Sequence, residues 1–356
     1  MARNKIETSK QFFASLESVY RDAGLGLSVR DSGSRWIAES TPGANDRLVH
    51  LRCRACHLFR PSLGALHLDS DDHGSFIVAI GLNAEYFSPE SGVEEVELDS
   101  GIFQVAVLSS NLRATAGSRL VYENVAWGAK GEPNYSGHNL EQIAPLYPSI
   151  VPYRVPATLG SQEAEAILWD MVLSHCVAEA AWMDEVQATS LRCLSASPIP
   201  DMPYADLSWA ALSHDRRSLF LALYRCLEAA YAHGKIVELS GRLRYSAGWS
   251  TLAGIVEGVL GWRPQELQSL TDLLRRAHRD DVERLYELLR GSDKPKDDVV
   301  AGAAERIYRV RNGIVHYRAG GDRVSPDQYK WNEVCTLLAK VVLDVLSDVH
   351  EVVAGS

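Results

Sequence analysis

The chain has no apolar run long enough to cross a bilayer, and its first ten residues, MARNKIETSK, lack the apolar core of a signal peptide. No membrane association is expected, and the cytoplasm is the expected compartment. Cysteine is scarce: six thiols in 356 residues do not make a disulfide scaffold. No G-x-x-x-x-G-K loop is present to cradle a triphosphate, and no acidic metal-binding motif of the kind that nucleotidyl transfer requires. Positive charge is also short, with Lys and Arg at 36 against 46 Asp and Glu, a formal net charge of -10. That balance disfavours a surface that coats nucleic acid, but leaves room for a focused site that grips one anionic group. The rest is ordinary for a globular protein of up to two domains, at 46% hydrophobic and 23% charged residues.

The apolar pattern changes along the chain and predicts an α+β protein. Residues 1–160 read as a β-rich domain, opened by an amphipathic helix over Thr8–Ala23 that carries Phe12, Phe13, Leu16, Val19 and Tyr20 on one side. Val49, Leu51, Cys53 and Ala55 alternate with more polar residues, as in a strand; Phe76–Leu82, Val93–Leu98 and Ile102–Ser109 are further strand candidates. Pro148, Pro152 and Pro156 mark residues 147–160 as extended linker. Residues 161–203 form a helical connector, with Ile167, Met171, Ser174, Ala178, Trp182 and Val186 at three- and four-residue steps. Residues 204–356 read as all-α, an antiparallel bundle of four or five helices that includes one long helix over Arg216–Leu239. Val300, Ala303, Ile307, Val310, Ile314 and Tyr317 form one stripe, and Val334, Leu338, Val341, Val345, Val349 and Val352 another. Both stripes look broad enough to serve a core and a partner copy.

One stretch reverses the acidic balance. Glu305–Arg323 holds Arg306, Arg309, Arg311, Arg318 and Arg323 against only Glu305 and Asp322. At its centre Arg311-Asn312-Gly313-Ile314-Val315-His316 sets a permanent cation beside a titratable imidazole. Arginine offers a planar fork for two phosphate oxygens, and a neutral imidazole can take a proton near pH 7. Arg309 rivals Arg311 for the arginine role; Arg309 and Arg318 are also candidate substrate contacts. Five residues at about 100° each leave Arg311 and His316 roughly 140° apart on an unbroken helix. Either Gly313 permits a distortion or the second arginine comes from a partner copy. Asn312, one turn before His316, is placed to orient the imidazole. The plainer reading is an exposed, solvated helix face whose final His favours the C-terminal dipole.

This arrangement, R-N-x-x-x-H near the end of the penultimate long helix of a C-terminal bundle, resembles the HEPN superfamily, with the resemblance confined to residues 204–356. It implies a metal-independent ribonuclease of prokaryotic defence or toxin systems, needing no cofactor. It also implies a homodimer that brings two motifs to one cleft, an RNA substrate, and products ending in a 2′,3′-cyclic phosphate and a 5′-hydroxyl. Arg311, Asn312 and His316 match the motif. The bare pattern recurs at Arg52–His57 and Arg60–His67, outside any bundle. The alternative is a non-catalytic HEPN-like module that dimerises or binds a partner protein. The β-rich half would then sense a trigger or regulatory partner in either case. Cys53-Arg54-Ala55-Cys56-His57 spells a haem-attachment sequence but reads as thiols without a cofactor. Glu228 is a possible neighbour of the site from an earlier bundle helix.

Overall fold

The computed structural model describes residues 3–24, 35–87, 92–126, 134–179, 182–196, 199–213, 215–245, 248–291, 296–316 and 324–354, the last four without their side chains. The chain divides into two compact units, Met1–Met171 and Val172–Ser356.

The first unit carries α1 (Lys5–Asp22), α2 (Ala44–His50), β1 (Arg52–Arg60), β2 (Leu63–Ser70), β3 (Gly74–Ile80), β4 (Glu94–Glu95), α3 (Ser100–Ser109), α4 (Ser118–Val125), the single turn α5 (Leu140–Ile143), β5 (Ile150–Val155) and the start of α6 (Ser161–Glu179). Its five strands form an antiparallel sheet in the order β1-β2-β3-β5-β4. Leu66, Leu68, Phe76, Val78 and Ile80 face a core completed by Phe12, Phe13 and Leu16 of α1 and by Ile102, Phe103, Val105 and Ala106 of α3. The opposite face, at His57, Ala65, His67 and Ile77, meets Ala164, Glu165 and Leu168 of α6.

Three expectations are corrected here. Val49 and His50 belong to α2, so the strand begins later, at Arg52. The apolar run Ile102–Ser109 is helical, because Asp99 caps it by accepting from the amides of Gly101 and Ile102 at 2.7 and 2.9 Å. Being buried on nearly every side, it has no polar face whose spacing would reveal the period. The proline-rich stretch is also more than linker, since Ile150–Val155 pairs with all but the first residue of β3. Pro152 is tolerated because its carbonyl, and hence the side where an N–H would point, faces β4, accepting from Val96 at 3.0 Å. Among the described residues β4 itself pairs through Glu94 and Glu95, opposite Arg154 and Tyr153.

The second unit is helical throughout its described residues. After the end of α6 come α7 (Glu185–Ala196), α8 (Tyr204–Ala211), α9 (Arg216–Ala229), α10 (His233–Leu243), α11 (Trp249–Leu260), α12 (Glu266–Leu274), α13 (Arg279–Leu288), α14 (Val299–Val315) and α15 (Trp331–Ala354). α15 packs against α7, α9 and α13, while α14 packs against α12, α13 and α9. Among the described residues of 204–356 eight helices stand where four or five were expected, and two expected long helices, one in the bundle and one in the connector, are broken. Arg216–Leu239 turns at residues 230–232 into α9 and α10. The helix expected to run through Trp182 and Val186 ends at Glu179, and Val186 stands 74% exposed at the start of α7.

Ala303, Ile307 and Val310 of α14, and Val334, Leu338, Val341, Val345 and Val349 of α15, are fully buried within this unit. Val300 and Ile314, toward the ends of the α14 stripe, stay half-buried. Tyr317 and the Val352 side chain lie outside the described residues. No described helix is long and apolar enough to cross a membrane.

Candidate functional site

α14 starts where Asp298 caps the amide of Ala301 at 3.1 Å, and it stays helical through Gly313 to Val315. Gly313 therefore introduces no distortion. His316 is the C-cap: its backbone is extended (φ -99°, ψ 117°), its N–H still donates to the Asn312 carbonyl at 2.9 Å, and its side chain is exposed. Among the described residues the imidazole has no hydrogen-bond partner, and the expected Asn312 contact to it is not made.

Asn312 instead turns to its neighbour, its side-chain oxygen accepting from the Arg311 guanidinium at 2.9 Å. The same guanidinium donates to Glu228 on α9 at 3.1 Å and lies 5.7 Å from the ring centre of Tyr224, one turn earlier on α9. Glu228 thus neighbours Arg311 across two helices. Tyr224 had gone unremarked in the sequence, although its four-residue spacing from Glu228 sets both on one helix face. Tyr231 donates to the Tyr224 hydroxyl at 2.7 Å. Burial pushes the Tyr224 phenol up to about 12 and Tyr231 higher still, so neither serves as a base near neutrality.

The cationic stretch separates into different jobs. Arg306 is 2% exposed, hydrogen-bonded to the Tyr286 carbonyl and stacked 3.6 Å from the centre of that ring. It is a packing residue of the α13–α14 contact. Arg309 is exposed. It precedes His316 by seven residues, which places the two about 20° apart around the helix and roughly 10 Å along it. Arg311, half-buried, turns toward α9. Arg318 and Arg323 lie outside the described residues.

Beside the Arg311–Glu228 pair opens a cavity of about 640 Å³ walled by Glu228, Tyr231, Trp249, Glu257, Arg263 and Glu266. It shares Tyr231, Arg263 and Pro264 with a larger trough of about 1130 Å³ between α10, α11 and α12, whose walls include Ile236, Leu239, Val256, Leu260 and Leu273. α11 stands between the two spaces. The three carboxylates on the smaller cavity outnumber its one arginine, so it is a poor receptacle for a phosphate. Among the described residues no group of three or more His, Cys, Asp or Glu is placed to hold a metal ion.

Comparison with protein-family models, curated proteins and solved structures finds no match to this chain.

Proposed function

We propose that the protein is a metal-independent endoribonuclease effector of a prokaryotic defence or toxin system, with a HEPN-like C-terminal bundle. The observation that carries this reading is the end of α14. An exposed imidazole at its C-cap shares a face with Arg309, and the Arg311–Asn312 pair occupies the last full turn. In the reaction, His316 takes the proton of a ribose 2′-hydroxyl and the oxygen attacks phosphorus. Arginine stabilises the added negative charge, and the bond to the 5′-oxygen breaks. That oxygen gains a proton and leaves as a 5′-hydroxyl, with a 2′,3′-cyclic phosphate on the other fragment. With α14 unbroken, Arg311 and His316 of one chain diverge, so they act on one phosphate as a pair drawn from two copies. The β-rich unit supplies control.

A second reading has its own support. The Arg311 guanidinium is already engaged by Glu228 and Asn312, which suits a binding or scaffolding module whose ion pair is structural.

Incubating RNA with the wild type and with Arg311→Ala, His316→Ala and Arg309→Ala, in EDTA from pH 5 to 9, separates the readings. Under the nuclease reading, His316→Ala and Arg311→Ala each lose about 10²-fold or more in rate, and DNA stays intact for want of a 2′-hydroxyl. Loss in Arg309→Ala with Arg311→Ala unaffected transfers the arginine role to Arg309. Activity that persists in His316→Ala, or vanishes with EDTA, overturns the mechanism.

A further inference from the structure

Eleven large apolar side chains stand exposed among the described residues, and five of them fall between residues 243 and 267: Leu243, Ile255, Val259, Leu260 and Leu267. α11 carries three of these and buries only Leu252. Its one ionised side chain is Glu257, held by Arg263 at 3.2 Å. A helix this apolar is ordinarily covered on all sides, and at 12 residues α11 is too short to span a membrane. Gly254, which also borders the smaller cavity, and Gly258 have open space, with no atom within 4 Å of an added Cβ. Beside them Ile255 and Val259 project, 47% and 75% exposed.

We propose that this face of α11 is an interface for a second copy of the same chain, two α11 helices crossing about a two-fold axis. One strip carries both projections and recesses, so the Ile255 and Val259 of each copy can seat over the glycines of the other. A two-fold contact demands that kind of self-complementarity, and a contact between unrelated surfaces does not. Small residues at the crossing let two helix backbones approach closely. Charge argues against a lipid surface as the occupant: helices that lie on membranes present Lys and Arg, whereas α11 has only Glu257 in a chain of net charge -10. The five side chains together expose on the order of 500 Å², against about 800 Å² per partner in a standard interface, so the dimer is expected at micromolar rather than nanomolar concentration. The proposal does not depend on the nuclease reading. It places the dimer surface on α11 rather than on the stripes of α14 and α15, and it seats the partner beside the cavity that Glu228 walls.

The test is light scattering of the full chain at tens of micromolar, for wild type, Ile255→Glu, Gly254→Gln and Gly258→Gln. The wild type should show twice the single-chain mass and the three variants the single-chain mass. A Cβ at either glycine meets nothing within 4 Å in the single chain, and glutamine favours helix over glycine. In dilute samples, where every form is single, the glutamine variants should therefore melt at or above the wild-type temperature. Dimer loss without loss of fold is the signature of the crossing. A wild type of single-chain mass overturns the proposal; α11 amides protected from hydrogen exchange in that species would assign the face to the chain's own N-terminal unit. Dimers that survive Gly254→Gln and Gly258→Gln overturn the two-fold crossing. So does binding of the wild type to anionic phosphatidylserine vesicles that Ile255→Glu abolishes while mass in solution is unchanged.

Discussion

A guanidinium 3.1 Å from a carboxylate meets a phosphate only by competition. Arg311 and Glu228 retain 20% and 29% of their side-chain exposure, so the pair contributes about 1 kcal/mol or less to stability. Glu228→Gln should therefore fold normally while leaving Arg311 short of a counter-ion. If Arg311 contacts phosphate, the variant should bind RNA about tenfold more tightly at low salt, with the gain shrinking at high salt. Filter binding across a salt series measures this, and identical curves for variant and wild type would remove Arg311 from the substrate contacts. Along the sequence all five arginines between Glu305 and Arg323 counted toward the local charge, and spacing left Arg309 and Arg311 as rivals for one role. Sequence spacing alone does not say which helix faces meet a neighbour, so the burial of Arg306 against α13 and the exposure of Arg309 were not legible. The Arg311–Glu228 pair joins residues 83 positions apart, and only the packing of α14 on α9 selects it.

Elements were legible where one face is polar. α1, α14 and α15 show clean apolar stripes and appear close to where the spacing puts them. α3 and β5 were not, the first because it has no solvent face and the second because Pro152 within it and Pro148 and Pro156 beside it hide a strand paired mainly on one side. The α13–α14 contact illustrates a constraint invisible in apolar spacing. Gly302 lies one turn before Arg306, and a Cβ there would come 2.6 Å from the Tyr286 ring. That ring is fixed from its other sides, by Arg306 stacked on it and by the Lys296 amide donating to its hydroxyl at 3.0 Å. Gly302→Ala should thus destabilise the helical unit by about 1–3 kcal/mol, despite alanine's better helix propensity. Chemical denaturation provides the measurement; a variant as stable as wild type would show that Tyr286 can move aside.

At the scale of the whole molecule, the change from strand-like to helical patterning did correspond to a sheet in one unit and helices in the other. Burial disfavours the charged form of His67 and His138 in the first unit and of His233 in the second. Desolvation, aided by Arg35, lowers His138 to about 4; desolvation, aided by Arg276, lowers His233 to about 4. Both pKa values lie below the ordinary 6.5, so the unfolded chain binds more protons between those limits. Stability is full above pH 6.5 and falls as the pH drops toward 4. Melting temperature measured from pH 7.5 to 4 should decline over that window, and His233→Phe should flatten the decline for the helical unit. A melting temperature constant down to pH 4 would contradict the burial of both rings. The sheet has a different consequence, for how chains meet. An open strand edge is a template for a neighbour's backbone, yet pairing β1 with another β1 would set the exposed Arg52, Arg54 and Arg60 against like charges. At the other edge β4 offers two residues, and Pro152 behind it has no N–H to donate. Accretion of chains by strand addition, the route to fibres, is thereby discouraged at both ends of the sheet.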